Sequence, residues 1–196
     1  MHAGLDEAER AAGVRHARAA IESGTDDATA LAVAAHVISL LGKDREAALH
    51  AIERALSLNP SSAVAHIWAA HIHGLSGNPA GATTHANRAL RLSPFDPLTY
   101  VVYLALGTAA VQEGRYDEAA SHFGKGVQAN SSFTSLYFLQ ASAMALAGRA
   151  EEARPIARRG LDLEPGWRIR VWFAVGIAQP TANRLAEGAR MLGLPE

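Results

Sequence analysis

The chain contains no cysteine. That absence excludes disulfides, thiolate metal sites and cysteine nucleophiles together, and it fits a cytoplasmic location. An excess of charge of either sign is also missing, because 18 Lys and Arg face 19 Asp and Glu for a formal net charge of −1. The phosphate-directed field that nucleic-acid binding draws on is therefore lacking, and no nucleic-acid partner is expected. No run approaches the roughly 18–20 consecutive apolar residues needed to span a bilayer. The start, MHAGLDEAERAAG, has acidic residues where a secretory signal has its apolar stretch. Neither export nor a membrane partner is expected. Aromatic residues are scarce, at 6%, and Val, Ile and Thr never gather into alternating runs bounded by turns.

What is present is alanine, in a chain of 196 residues that is 49% apolar and 19% charged. That is enough apolar material for a sizeable core and too much for disorder, and it predicts an all-α fold with closely packed helices. The chain also repeats itself. The segments EAALHAIERALSLNP (46–60), AGATTHANRALRLSP (80–94), EAASHFGKGVQANS (118–131) and EEARPIARRGLDLEP (151–165) align. Ala48, Ala82, Ala119 and Ala153 stand 34, 37 and 34 residues apart, and Ala55, Ala89, Gly126 and Gly160 keep the same spacing, as do Pro60, Pro94, Ser131 and Pro165. Each segment follows a helical pattern ending in glycine, at Gly42, Gly77, Gly114 and Gly148, where a positive φ closes one helix before the next begins. The unit is helix A, glycine turn, helix B, proline turn. Small residues recur where two antiparallel helices cross closely, and proline stops helix B because it cannot continue the hydrogen-bond ladder.

These residues resemble the tetratricopeptide repeat (TPR) family over nearly the whole chain. The family's small helix A residue falls on Ala35, Ala70, Gly107 and Ala141, and GRYDEAASHF (114–123) matches best, with Tyr116 and Phe123 at the usual aromatic positions. Ser131 in place of proline, and the missing Trp or Tyr of helix A in the first two repeats, depart from the pattern. The resemblance implies a right-handed superhelix of antiparallel helix pairs in a single domain. Residues 1–27 form an incomplete leading repeat, 28–62, 63–96, 97–133 and 134–167 form repeats, and 168–196 form a C-terminal cap. In the longer third unit, Asp96 is expected to cap a helix with Pro97 at its first position, lengthening helix A by almost a turn. Thr181 is expected to cap a last amphipathic helix that ends near Gly193 and covers the last repeat. The leading segment reads as a helix B without its partner, so the chain is expected to be a piece of a longer protein. ALRLSPFDP, GRYDEAA, LEPGWRIR and RLAEGARMLGLPE resemble the C-terminal TPR region of bacterial multidomain regulators, in which an adenylate or guanylate cyclase domain or a winged-helix domain precedes the repeats.

The stretch HIWAAHIHG (66–74) invites a chemical reading. On a helix, His66 and His73 share a face but lie about 10 Å apart along the axis. Zinc holds imidazole nitrogens at about 2 Å and its helical pairs are usually i,i+4, so these two do not chelate one ion. His71 lies about 140° and 160° around the helix from them. The TPR register makes His66 and His73 neutral packing residues, places Trp68 at a helix boundary or on a neighbouring repeat, and points His71 into the concave groove. With Gly42 aligned to Gly77, His36 falls on the same position, and Thr108 and Ser142 continue the row. Ile67, Leu104 and Phe138 flank it. The expectation is a mostly apolar groove with a polar stripe that takes a protein or peptide segment, or another domain of the same chain. A homodimer is also compatible.

The carboxylate clamp of the family's chaperone-tail receptors is absent, since Ile67, His71, Leu104 and Thr108 stand in its places. Asp117, Glu118, Glu151 and Glu152 read as first-turn residues that favour the helix dipole rather than as an acid–base pair. Arg158, Arg159, Arg168, Arg170, Arg184 and Arg190 read as ordinary surface interleaved with acidic residues. GKG (124–126) lacks the rest of a phosphate loop, and no nucleophile elbow, HExxH or calcium loop occurs. No catalytic residue, metal or cofactor is expected. The resulting reading is a non-catalytic interaction scaffold, with a part in a cyclase, through dimerisation or direct control of the catalytic domain, as the alternative.

Overall fold

The computed structural model describes residues 6–23, 26–172 and 177–196. Its helices are α1 (Glu7–Glu22), α2 (Ala28–Leu40), α3 (Arg45–Leu58), α4 (Ala63–Leu75), α5 (Pro79–Leu92), α6 (Thr99–Gln112), α7 (Tyr116–Ala129), α8 (Ser135–Leu146), α9 (Ala150–Leu163), α10 (Ile169–Trp172) and α11 (Gln179–Met191). Among the described residues there is no strand. Helices α2 to α9 form four antiparallel pairs, each an A helix followed by a B helix, and successive pairs stack into a helical solenoid. Helix α1 packs on α2, and a capping box starts it, with Asp6 accepting from the Glu9 amide and Glu9 from the Asp6 amide.

The small residues that repeat in the sequence form the seams between helices. Ala35, Ala70 and Ala141 on the A helices, and Ala48, Ala82, Ala119 and Ala153 on the B helices, are all fully buried. The third repeat shows the reason most clearly. A Cβ on Gly107 would lie 2.4 Å from the Phe123 ring, so the aromatic of helix B occupies the space that any side chain on helix A would need. Phe123, Leu136 and Leu139 are fully buried in the same cluster, each burial contributing about 1.5–3 kcal/mol.

The A-to-B turns correct one expectation. Gly77, Gly114 and Gly148 have φ of 79°, 75° and 81°, but in the first repeat the positive φ, 54°, belongs to Lys43 and not to Gly42. The turn after α2 is one residue longer. The amide of Asp44 donates to the carbonyl of Ile38, six residues back, whereas Asn78, Arg115 and Arg149 donate to His73, Ala110 and Met144, five residues back. The added turn residue leaves the helices in register. Ile38 therefore corresponds to His73, and His36 to His71.

The long third unit also differs from expectation. Helix α6 starts at Thr99 rather than Pro97, with Leu98 as its N-cap and no side-chain cap. Asp96 instead closes the preceding turn, where its carboxylate accepts from the Leu98 amide at 2.9 Å and its carbonyl accepts from the Thr99 amide at 2.9 Å. Most of the extra length thus sits in the turn 93–98, which carries Phe95, 95% exposed. Thr181 is likewise no cap, because α11 begins two residues earlier, after Ala178, and Thr181 is buried in its first turn. The helix does end near Gly193, since Met191 is its last residue, Leu192 its C-cap, and Gly193 follows with φ 70°.

The last helix departs furthest from a simple cap. Neighbouring A helices pack on each other from α2 to α4 and from α4 to α6, but α6 and α8 meet at most marginally. Helix α11 packs against both of them, and makes no comparable contact with α9. It crosses the A-helix face instead of extending the stack.

Candidate functional site

Helix α4 carries HIWAAHIHG on two faces with different surroundings. Toward its own B helix, His66 is 9% exposed, and its Nδ1 lies 2.9 Å from Nδ1 of His85 on α5. Its Nε2 lies 3.1 Å from the Pro60 carbonyl. A carbonyl only accepts, so Nε2 carries the His66 proton, Nδ1 accepts, and His85 donates from its own Nδ1. The His85 ring also stacks on His73, with centroids 5.4 Å apart and planes 8° from parallel. His73 Nδ1 accepts from the side-chain Nδ2 of Asn78 at 3.2 Å. Burial pushes all three imidazoles below their ordinary range. The effect is largest for His85, lowered to about 4 by burial and by the neighbouring His66 and His73. Neutral rings at 66 and 73 follow from this packing. His85 escaped the sequence reading, which paired histidines along one helix and not across two. Among the described residues no group of His, Asp or Glu is placed to hold a metal ion.

Toward α2, a second cluster lies on the A-helix face. His36 stacks on Trp68, with centroids 3.8 Å apart and planes 16° from parallel, and His71 lies 5.4 Å from His36 and 6.3 Å from Trp68. All three side chains are half-buried. Register brings His36 and His71 together because adjacent A helices lie side by side. Trp68 is not at a helix boundary. It sits in the middle of α4, and its contact with the neighbouring repeat is the His36 ring. Among the described residues its indole Nε1 is buried without a hydrogen bond. The sequence placed it only loosely because its position matches none of the family's small or aromatic marks.

The other predicted groove residues are placed differently. Ile67 and Phe138 are fully buried, Ile67 in the core between α4, α5 and α6, and Phe138 stacked on Trp167 at 4.1 Å and against Gly160. Neither lines an open surface, because each points to a helix partner within the solenoid. Thr108 is 4% exposed and donates to the Leu104 carbonyl at 2.8 Å, spending its hydroxyl on its own helix. Leu104 is half-buried. Ser142 is fully buried and its hydroxyl makes no hydrogen bond among the described residues.

The burial of Ser142 follows from α11. A Cβ on Gly188 would lie 2.3 Å from the Ser142 carbonyl oxygen, so α11 passes over α8 at backbone contact. Further along, the Arg184 guanidinium donates to the carbonyls of Val111 at 3.1 Å and Gln112 at 3.0 Å, at the C-terminus of α6. That end carries the negative pole of the helix dipole, so a cation there is favourable. Just before α11, the Ala178 amide donates to the carbonyl of Leu75, the last residue of α4, at 2.9 Å. Arg184 was read as ordinary surface, since nothing in the sequence pairs it with the end of a helix 72 residues away. The row from His36 to Ser142 is thus half-exposed at its N-terminal end and covered by the chain's own last helix at the other.

The carboxylates sit where the dipole favours them. Asp117 and Glu118 open α7, and Glu151 and Glu152 open α9. The hydrogen bond from Arg115 holds Glu118 below the usual carboxylate range. Arg149 joins Glu152 at 2.6 Å and Asp117 of the preceding repeat at 3.1 Å, a surface clasp worth at most about 1 kcal/mol. The GKG run lies inside α7, with no loop to cradle a phosphate. No helix among the described residues is long and apolar enough to cross a membrane.

Residues 42–97 and 104–166 match the family described as tetratricopeptide repeat. No curated protein matches the chain. Among solved structures, PilW, a type IV pilus biogenesis factor, is similar with a TM-score of 0.70 at 20% identity, over 94% of this chain and 84% of its own. YrrB, a TPR protein with an unusual peptide-binding site, is similar with a TM-score of 0.58 at 21% identity, over 90% and 92%. MamA from Desulfovibrio magneticus RS-1 is similar with a TM-score of 0.63 at 15% identity, over 80% and 86%. At these identities the likeness is one of fold.

Proposed function

Because the chain belongs to the tetratricopeptide repeat family, a family of protein-interaction scaffolds, we propose that it is a non-catalytic scaffold that takes a protein segment on the A-helix face of α2 and α4. The observation that carries this reading is the cluster of His36, Trp68 and His71. Three half-buried rings from two adjacent A helices make an aromatic surface with polar edges. The indole Nε1 of Trp68 is buried without a partner within the described fold, so the ring faces, and not this nitrogen, are what a docking segment meets. Aromatic side chains of this kind dominate binding energetics because they combine large contact area with a polar handle. YrrB, with its similar fold, supports a peptide as the class of ligand.

We place the scaffold in the cytoplasm as the accessory region of a bacterial signalling protein, next to a cyclase or winged-helix domain. The support is the likeness of the runs 89–97, 114–120, 163–170 and 184–196 to such regions. The test is peptide-display selection on the chain with counter-selection on a Trp68→Ala/His71→Glu variant. Enrichment of peptides that bind the parent and not the variant is the expected result. Peptides that bind both equally would move the site to another face.

A further inference from the structure

We propose that α11 is a displaceable, built-in occupant of the A-helix face over α6 and α8, and that this seat takes in trans a helix of α11's own chemistry. Such a helix is amphipathic, small along its packing face, and carries one basic side chain at the C-terminus of α6. This does not depend on the reading of the α2–α4 cluster.

The seat is specific. Helix α11 spans 13 residues, which is about 20 Å. That is long enough to reach from the end of α4 across α6 to α8, the two helices it packs on. Its contacts fall in that order, with Ala178 at the end of α4, Arg184 at the end of α6 and Gly188 on α8. Ala182, Leu185, Ala186, Gly188 and Ala189 form the buried face, while Asn183, Glu187 and Arg190 face solvent. Gly188 is the closest point, and any side chain there meets backbone that has no room to give. The tail then returns, where the Pro195 carbonyl accepts from the Ile169 amide at 2.9 Å.

The seat is also incompletely satisfied. With α11 in place, two oxygens in this region, the hydroxyl of the fully buried Ser142 and Oε1 of Gln112, are buried without hydrogen bonds among the described residues. Buried unpaired polar atoms are costly. The resident helix therefore does not extract all the stabilisation that the seat offers, and a competitor with a donor toward either oxygen gains what α11 leaves.

The experiment uses the full chain and a fluorescein-labelled peptide of residues 177–196, followed by fluorescence anisotropy. Gly188→Leu in the chain unseats its own helix and leaves the receptor residues untouched. The peptide should then bind at least about tenfold more tightly than it binds the parent chain, because the competent fraction rises. The same peptide carrying Gly188→Leu should show no such gain. Arg184→Ala in the chain gives a smaller gain of the same sign, and decides the matter if Gly188→Leu loses its helical signal. A Gly77→Cys/Ala178→Cys chain adds a lock. A Cβ on Gly77 lies 3.5 Å from Cβ of Ala178, within disulfide reach. No other cysteine competes, and Lys43 already holds a side chain at the equivalent positive φ. Oxidation should reduce peptide binding about tenfold relative to the reduced form. Equal peptide affinity for the parent, Gly188→Leu and Arg184→Ala chains, or equal binding of the two peptides, would overturn the proposal.

Discussion

The two faces of α4 carry histidines to opposite ends. On the face toward α5, His66, His73 and His85 are packed, neutral and committed to one another and to Pro60 and Asn78. On the face toward α2, His36, Trp68 and His71 are half-buried in a stack that spans two repeats. The residue types are nearly the same. What differs is the neighbour, because His73 and His85, as half-buried as the rings on the other face, meet across an A helix and its own B helix, while His36, Trp68 and His71 meet across two A helices. A histidine in a repeat protein is therefore read by which helix it meets rather than by its count in a motif.

The largest expected effect comes from removing the centre of the closed cluster. His85→Ala deletes a ring stacked on His73 and the donor to His66, and should destabilise the fold by about 2–3 kcal/mol in urea unfolding at neutral pH. A loss below about 0.5 kcal/mol, the scale of an ordinary surface change, would mean the cluster is not structural. The pH dependence sharpens the same point. The imidazoles at 66, 73 and 85 have folded pKa values below the unfolded value of 6.5. Stability is then complete above about 6.5 and is lost as pH falls toward 4, because the unfolded chain takes up protons that the folded one refuses. Urea unfolding between pH 7 and 4.5 should show that loss, to which the half-buried His122, also held below its ordinary range, adds. His85→Ala should make that slope shallower, and an unchanged slope would place the titrating groups elsewhere.

On the open face, Trp68→Ala should cost only about 1–1.5 kcal/mol of stability, since the side chain is half-buried, and calorimetric unfolding measures it. The smallest effect tests the turns. Lys43→Gly relieves an L-residue held at positive φ and should stabilise the chain by about 0.5–1 kcal/mol. The reverse change, Gly77→Ala, should cost about 1 kcal/mol. If thermal unfolding shows no difference in sign, the two turns are not equivalent.

Much of the solenoid was legible because it rests on periodic small residues. The spacing of Ala48, Ala82, Ala119 and Ala153 reports a packing constraint that every repeat must meet, and all four are fully buried. Non-periodic features were less legible. Lys43 takes the left-handed position through an added turn residue, a displacement that a glycine count hides. Asp96 closes a turn rather than a helix, since the same Asp-Pro signal serves both. The row from His36 to Ser142 was found from register, yet register alone says nothing of what covers a face. Arg184 and Gly188 act on α6 and α8 from far along the chain, and such pairing leaves no local mark. Phe138 and Ile67 were misplaced for a related reason, because an apolar residue one position from a groove fits either the groove or the core.

The claim that the open face of α2 and α4 is the binding surface is tested most directly by calorimetric titration of one peptide selected by display on the parent chain alone, without counter-selection. The chains to compare are the parent, Trp68→Ala/His71→Glu, and Phe95→Ala, whose target is 95% exposed in the turn between α5 and α6. The account predicts a loss of about a hundredfold or more in the double variant and none in Phe95→Ala. Undiminished affinity in the double variant would contradict it.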